Sequence, residues 1–92
     1  MDTFNFTGAI VQEDQGYGSL CIELDVASQG DSVSEAKTML LEAVTLYMEG
    51  AVEDGLPYWR PVPPADDPRQ ATPNQVVEVF NFKVSVAIRA YA

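Results

Sequence analysis

All six prolines of this chain fall between Pro57 and Pro73, and that confinement decides where regular structure can form. Proline lacks a backbone donor and holds φ at about −65°, which keeps it out of helix interiors and central strands. Every long element must therefore come from the residues before Pro57 or after Pro73, and residues 51–75 read as one proline-rich loop. A connection of that length is uncommon in a compact domain and is usually functional or disordered. Tyr58 and Trp59 argue against disorder, because aromatic surface on an extended arm tends to be buried. The surface that buries it is this chain's own core, a second copy or a partner.

Ahead of the loop the hydropathy pattern changes period once. Phe4, Phe6, Gly8 and Ile10 alternate with Thr3, Asn5 and Thr7, the period of a β-strand. Glu13-Asp14-Gln15-Gly16 supplies turn chemistry, with Gly16 free to take a positive φ. A second strand from Tyr17 to about Leu24 completes a hairpin, with Leu20, Ile22 and Leu24 on one face and Cys21 opposite them. Val26–Gly30 fits a short third strand. The period then becomes helical: Val33, Ala36, Leu40, Ala43 and Tyr47, with Met39, Leu41, Val44, Leu46 and Met48 beside them. Ser32 and Glu35 form an S-x-x-E capping box, Asp31 adds charge at the positive end of the helix dipole, and Gly50 stands where a stop is expected. The apolar face is wider than one sheet contact needs, so its excess is available to a second surface. Glu35, Glu42 and Glu49 recur every seven residues, with Thr38 and Thr45 between them. Such a stripe drifts by only ~20° per repeat. It reads either as a docking rail for Arg and Lys or as the solvated side of an amphipathic helix.

Beyond the loop, Phe80, Phe82, Val84, Val86 and Ile88 alternate with Asn81, Lys83, Ser85 and Arg89, the cleanest period-two run in the chain. A strand this long exceeds what a small sheet can pair, and an unpaired edge favours homo-oligomerisation. The expected fold is α+β, in the order β-β-β-α-β: an antiparallel sheet with one main helix on one face, in a single domain over residues 1–92.

Charge narrows the function. Fourteen acidic residues face five basic ones, for a net charge of −9. Eleven of the acidic residues precede Pro57, where Lys37 is the lone base, so the hairpin and helix carry almost all of the acidity. A chain of this charge is not expected to bind nucleic-acid phosphates or anionic membranes. It suits a basic partner, unless the charge serves solubility alone. The absence of histidine removes Ser-His-Asp and Cys-His catalysis and His-ligated metal. Glu13-Asp14, Glu53-Asp54 and Asp66-Asp67 sit in turns and loops without the shelter that general acid–base work requires. No ligand spacing points to Mg²⁺, and no cofactor is expected. Cys21 reads as a packing residue, because no base or cation stands near it in sequence. Gly16-Tyr17-Gly18 opens no helix and is no phosphate loop. A single cysteine, with no signal peptide and no membrane-length apolar run, makes the cytoplasm the expected location.

Taken in order, Phe6-Thr7-Gly8-Ala9-Ile10-Val11, Glu13-Asp14-Gln15-Gly16-Tyr17 and Cys21-Ile22-Glu23-Leu24 resemble the opening of the HicB antitoxin family. Ser28-Gln29-Gly30-Asp31-Ser32, Glu35-Ala36, the helix through Leu46-Tyr47 and Glu53-Asp54-Gly55 continue the resemblance, which covers residues 4–55 well and the last strand loosely. It implies the same β-β-β-α-β fold and a non-enzymatic role: capping a small, basic, histidine-dependent mRNA-cleaving toxin of the HicA type. Ile22 stands where the family often has proline, Asp25-Val26 replaces a common Pro-Gly, and the proline loop is longer than the family's connection. Many family members continue into a DNA-binding C-terminal domain; with the chain ending at Ala92, autoregulation is not expected.

The leading expectation is thus an antitoxin that docks through Glu35, Glu42 and Glu49, with Tyr58 and Trp59 as apolar contacts. The alternative is a solitary oligomeric domain of structural or regulatory role, without a toxin. A degenerate, metal-dependent nuclease ranks last.

Overall fold

The expected order of elements is present in the computed structural model, which describes residues 2–86. Ile88 and Arg89 of the last alternating run lie outside the described residues. Strand β1 spans Asp2–Glu13, β2 Gly16–Cys21, β3 Val26–Gly30 and β4 Val76–Val86; helix α1 spans Val33–Asp54 and a short α2 spans Pro68–Ala71. The strands form one antiparallel sheet in the order β3-β2-β1-β4. Phe6 lies opposite Phe82, and Gly8 lies between Phe80 on one side and Cys21 on the other. A side chain at Gly8 would clash with the Phe80 ring, so glycine is what lets that ring lie across β1.

Alternation sends Phe4, Phe6 and Ile10 of β1 towards α1, together with Phe80, Phe82, Val84 and Val86 of β4. Leu40, Val44 and Met48 of the helix meet Phe6, Cys21, Leu24, Val84 and Val86 to form the main core. β2 differs from the expected strand. It ends at Cys21 because a tight turn follows, with Asp25 at φ +53° and its N–H donating to the Cys21 carbonyl at 3.0 Å. Asp tolerates that left-handed conformation better than most residues. Cys21, not Leu20, is therefore the β2 residue in the core, and Leu24 reaches the core from the turn.

The helix begins as its sequence indicates: the Ser32 hydroxyl accepts from the Glu35 N–H at 3.0 Å, and the Glu35 carboxylate accepts from the Asp31 N–H at 3.0 Å. Its end is a correction, because α1 passes through Gly50 and continues to Asp54. The stop is Gly55 at φ +66°, whose N–H donates to the Val52 carbonyl while that of Leu56 donates to Ala51, a Schellman closure. Gly50 lies inside a helix with nothing within 4 Å of where a side chain would sit. Gly50→Ala is accordingly expected to raise stability by about 0.5–1 kcal/mol, measured as a higher denaturant midpoint at unchanged slope.

The proline-rich connection begins only after Gly55 and is structured. The Arg60 N–H donates to the Glu23 carbonyl at 3.1 Å and the Val62 N–H to Ile22 at 2.9 Å, laying the chain along the β2–β3 turn. A 3₁₀ turn over Pro64–Asp66, α2 and a second 3₁₀ turn over Pro73–Gln75 then carry it back to the start of β4. Both α2 and the second turn lie against β1, over the sheet face turned away from α1, where Ala9 is fully buried. Asp67 caps α2 by accepting from the Arg69 N–H at 2.9 Å and pairs with the Arg69 guanidinium at 2.7 Å. Those bonds hold its carboxyl below the usual carboxylate range, against the opposing effect of burial.

Candidate functional site

The outward side of α1 carries the acidic stripe. Helical geometry puts Leu40, Val44 and Met48 against the sheet, and the seven-residue spacing of Glu35, Glu42 and Glu49 then holds all three on the solvent side. They are not equivalent. The Glu35 carboxylate is engaged in the N-terminal capping bonds. The two ion pairs among the described residues are Lys37–Glu78 and Asp67–Arg69, so Glu42 and Glu49 stand as uncompensated charges. The intervening hydroxyls are satisfied within the helix, Thr38 donating to the Ser34 carbonyl at 3.1 Å and Thr45 to Leu41 at 2.7 Å. What the stripe offers a partner is therefore carboxylate oxygen, with little competing hydrogen-bond donation.

Apolar side chains border these charges. Leu41, at 43% exposed, and Leu46, at 70%, line a shallow open depression with Glu42 and Thr45. Met39 adds a third exposed apolar side chain on the same helix. Sequence reading placed these three beside the packing face. The signal that separates them is angular: Leu40, Val44 and Met48 repeat every four residues along the sheet contact, which turns Leu41 and Leu46 out to its two sides.

Tyr58 and Trp59 are split by the arm. Tyr58 is half-buried, edge-on to the Phe4 ring at 5.4 Å between centroids, and its carbonyl accepts from the Tyr47 hydroxyl at 2.9 Å. It anchors the arm to the core. Trp59 points outward and is 60% exposed, as is Leu56 at the helix end. Arg60 lies over the Tyr47 ring at 5.4 Å and donates to the Leu24 carbonyl, so the arm next to Trp59 is held at several points. An exposed aromatic on an arm anchored at both neighbours is a good contact for a partner, because little backbone freedom is lost when it is covered.

Glu23 was not singled out by the sequence. Its carboxylate accepts from both the N–H and the hydroxyl of Thr7, at 2.7 and 2.8 Å, and it faces the Cys21 thiol. Burial, together with the Glu23 charge, pushes the Cys21 pKa up to about 12, the opposite of what a nucleophilic thiol needs. Among the described residues there is no group of three or more His, Cys, Asp or Glu placed to hold a metal ion. No helix there is long and apolar enough to cross a membrane.

No family model matches the chain. The UPF0150 protein ssl0738 of Synechocystis is 45% identical over 49 residues, which cover 49% of this chain and 68% of that protein. A chain of the solved HicA3 and HicB3 toxin-antitoxin complex superposes with a TM-score of 0.58 at 18% identity, covering 91% of this chain and 99% of that one. The N-terminal domain of the antitoxin HicB from Burkholderia pseudomallei gives 0.60 at 20% identity, with the same coverage. The chain thus shares its overall fold with a HicB antitoxin domain.

Proposed function

This chain belongs to the UPF0150 family and has a HicB-like fold, and from that premise we propose that it is a non-enzymatic antitoxin-type binding protein. Its partner would be a small basic mRNA-cleaving toxin of the HicA type, neutralised by direct contact in the cytoplasm. The observation that carries this reading is the helix face on which Glu42 and Glu49, without an ion pair among the described residues, lie beside exposed Leu41 and Leu46. Uncompensated carboxylates steer a cationic partner to the surface and select against acidic ones, while burial of the leucines supplies affinity. A fold shared with a chain of a toxin-antitoxin complex makes a toxin the natural candidate for that partner. Trp59 extends the surface at the helix end; Glu35 and Tyr58 support it by capping α1 and anchoring the arm.

The test is co-expression with a small basic toxin of the HicA type, taken from the neighbouring reading frame if that frame encodes one. Relief of growth arrest by the wild-type chain is expected, with weaker relief by the E42K/E49K variant and an affinity lower by at least about tenfold at low salt. Both positions are solvent-facing, so the variant should keep the wild-type melting curve. Arrest that the wild-type chain does not relieve, or equal affinity of the variant, would overturn the reading.

A further inference from the structure

The last strand closes one side of the sheet, and among the described residues its own outer edge is unpaired. β4 is the edge strand beside β1, and its eleven residues make it far longer than β3, the five-residue strand at the other edge. Which of its backbone groups face outward follows from one hydrogen bond. The Ile22 N–H donates to the Thr7 carbonyl at 2.9 Å, so Thr7 aims its backbone groups at β2. By antiparallel alternation, Phe4, Phe6 and Gly8 aim theirs at β4, and Val84, Phe82 and Phe80 opposite them turn inward. Val79, Asn81, Lys83 and Ser85 then direct their N–H and C=O groups away from the sheet. No proline, glycine or bulge interrupts this stretch, the register shift lying earlier, where Val11 meets Val76, and Lys83 is its one charged side chain.

We propose that this edge pairs with β4 of a second copy of the chain, antiparallel and centred on Asn81, to make a continuous eight-stranded sheet. Charge selects the occupant. At a net charge of −9 two copies repel, and a pairing of α1 faces would set Glu35, Glu42 and Glu49 against themselves. The β4 flank is the neutral side of the molecule: Glu78 is paired with Lys37, and Lys83 is the other charge on the strand. Side-chain direction allows an axis at any outward-bonding residue. One at Lys83 would oppose two lysines and one at Val79 would set Glu78 against Phe80, whereas Asn81 avoids both. A two-fold axis through Asn81 keeps both helices on one side of the sheet. It sets Phe80 opposite Phe82 of the second copy, twice, beneath the helices. On the other face it sets Val79 opposite Lys83 of the second copy and Val77 opposite Ser85. Phe80 and Phe82 are only half-buried within one chain, and Val77 and Val79 are each 47% exposed, so pairing covers apolar surface that the fold leaves open. The acidic side of α1 stays free on both copies, which makes the assembly compatible with toxin binding and independent of it.

Sedimentation of the purified chain is expected to show twice the 10.0 kDa chain mass at micromolar concentration. V79K sets a lysine opposite Lys83 of the second copy at two places, and should weaken the dimer by about tenfold or more. The position is exposed on the face away from the core, so far-UV circular dichroism and thermal unfolding should match those of the wild type. V79K/K83E converts both repulsions into attractions and should restore the dimer. A wild-type monomer, a dimer indifferent to V79K, or a double variant that stays dissociated would each overturn the proposal. No toxin is present in the sedimentation measurements, so their failure leaves the antitoxin reading to its own test.

Discussion

Leu40→Ala is expected to lower the free energy of unfolding by about 2–5 kcal/mol, whereas Leu46→Ala should change it by no more than about 0.5 kcal/mol. The two leucines are six positions apart on one helix and have nearly identical helix propensity costs when truncated. Their surroundings differ completely. Leu40 is 0% exposed and packs with Val44, Met48, Phe6, Cys21 and Leu24, while Leu46 is 70% exposed on the outer side. Truncating Leu40 removes buried methyl groups and leaves a cavity that the sheet beneath cannot collapse to fill. In a domain of this size the loss is a large share of total stability, and the melting temperature should fall by roughly 10–30 °C. Thermal unfolding of the two variants side by side makes the measurement. Equal shifts would mean that α1 packs on the sheet in a different rotation, and the acidic face described above would no longer face solvent.

The helix rotation was the part of the site most legible in the sequence. The heptad spacing of Glu35, Glu42 and Glu49 excludes all three from one apolar face, whatever that face touches. The hairpin, the short third strand and the β-β-β-α-β order were equally readable, because alternation and capping are local properties. What the sequence hid depends on contacts across the chain. Gly50 has the look of a helix stop, yet the stop is made by Gly55, because only there do the Val52 and Ala51 carbonyls receive the donors that close the helix. Leu24 leaves the face it was expected to share with Leu20 for a similar reason: the turn through Asp25 carries it into the core beside Cys21, and a left-handed aspartate is not visible in a hydropathy pattern. The arm was the largest gap. Its prolines excluded long elements correctly, but its Arg60–Val62 stretch is held by bonds to Ile22, Glu23 and Leu24, forty residues or so away in the chain, and two 3₁₀ turns and one helical turn follow. That docking is why Tyr58 became an anchor and Trp59 an exposed aromatic, a distinction no spacing rule supplies.

The Cys21 thiol is expected to react with a disulfide reagent such as DTNB at pH 8 about a thousandfold more slowly in the folded protein than in urea. The ordinary pKa of 9.0 leaves a measurable thiolate fraction at that pH, and a pKa of about 12 lowers the fraction by some three powers of ten. Cys21 is also fully buried on β2 beneath α1, which limits the reagent's access and adds to the slowing. The same shift makes a stability statement. The folded state holds this proton more tightly than the unfolded chain, so the contribution is fully present below pH 9 and is lost as pH rises from there towards 12. The denaturant midpoint of the wild type should therefore decline with pH above 9, and Cys21→Ala should flatten that part of the decline. The cause is burial first and the Glu23 carboxylate second, so Glu23→Gln should speed native labelling only modestly. Native and unfolded chains labelling at similar rates would show that β2 presents the other parity to the helix. That outcome would reopen the assignment of Leu20 and Cys21, and with it the register on which the β4 edge geometry rests.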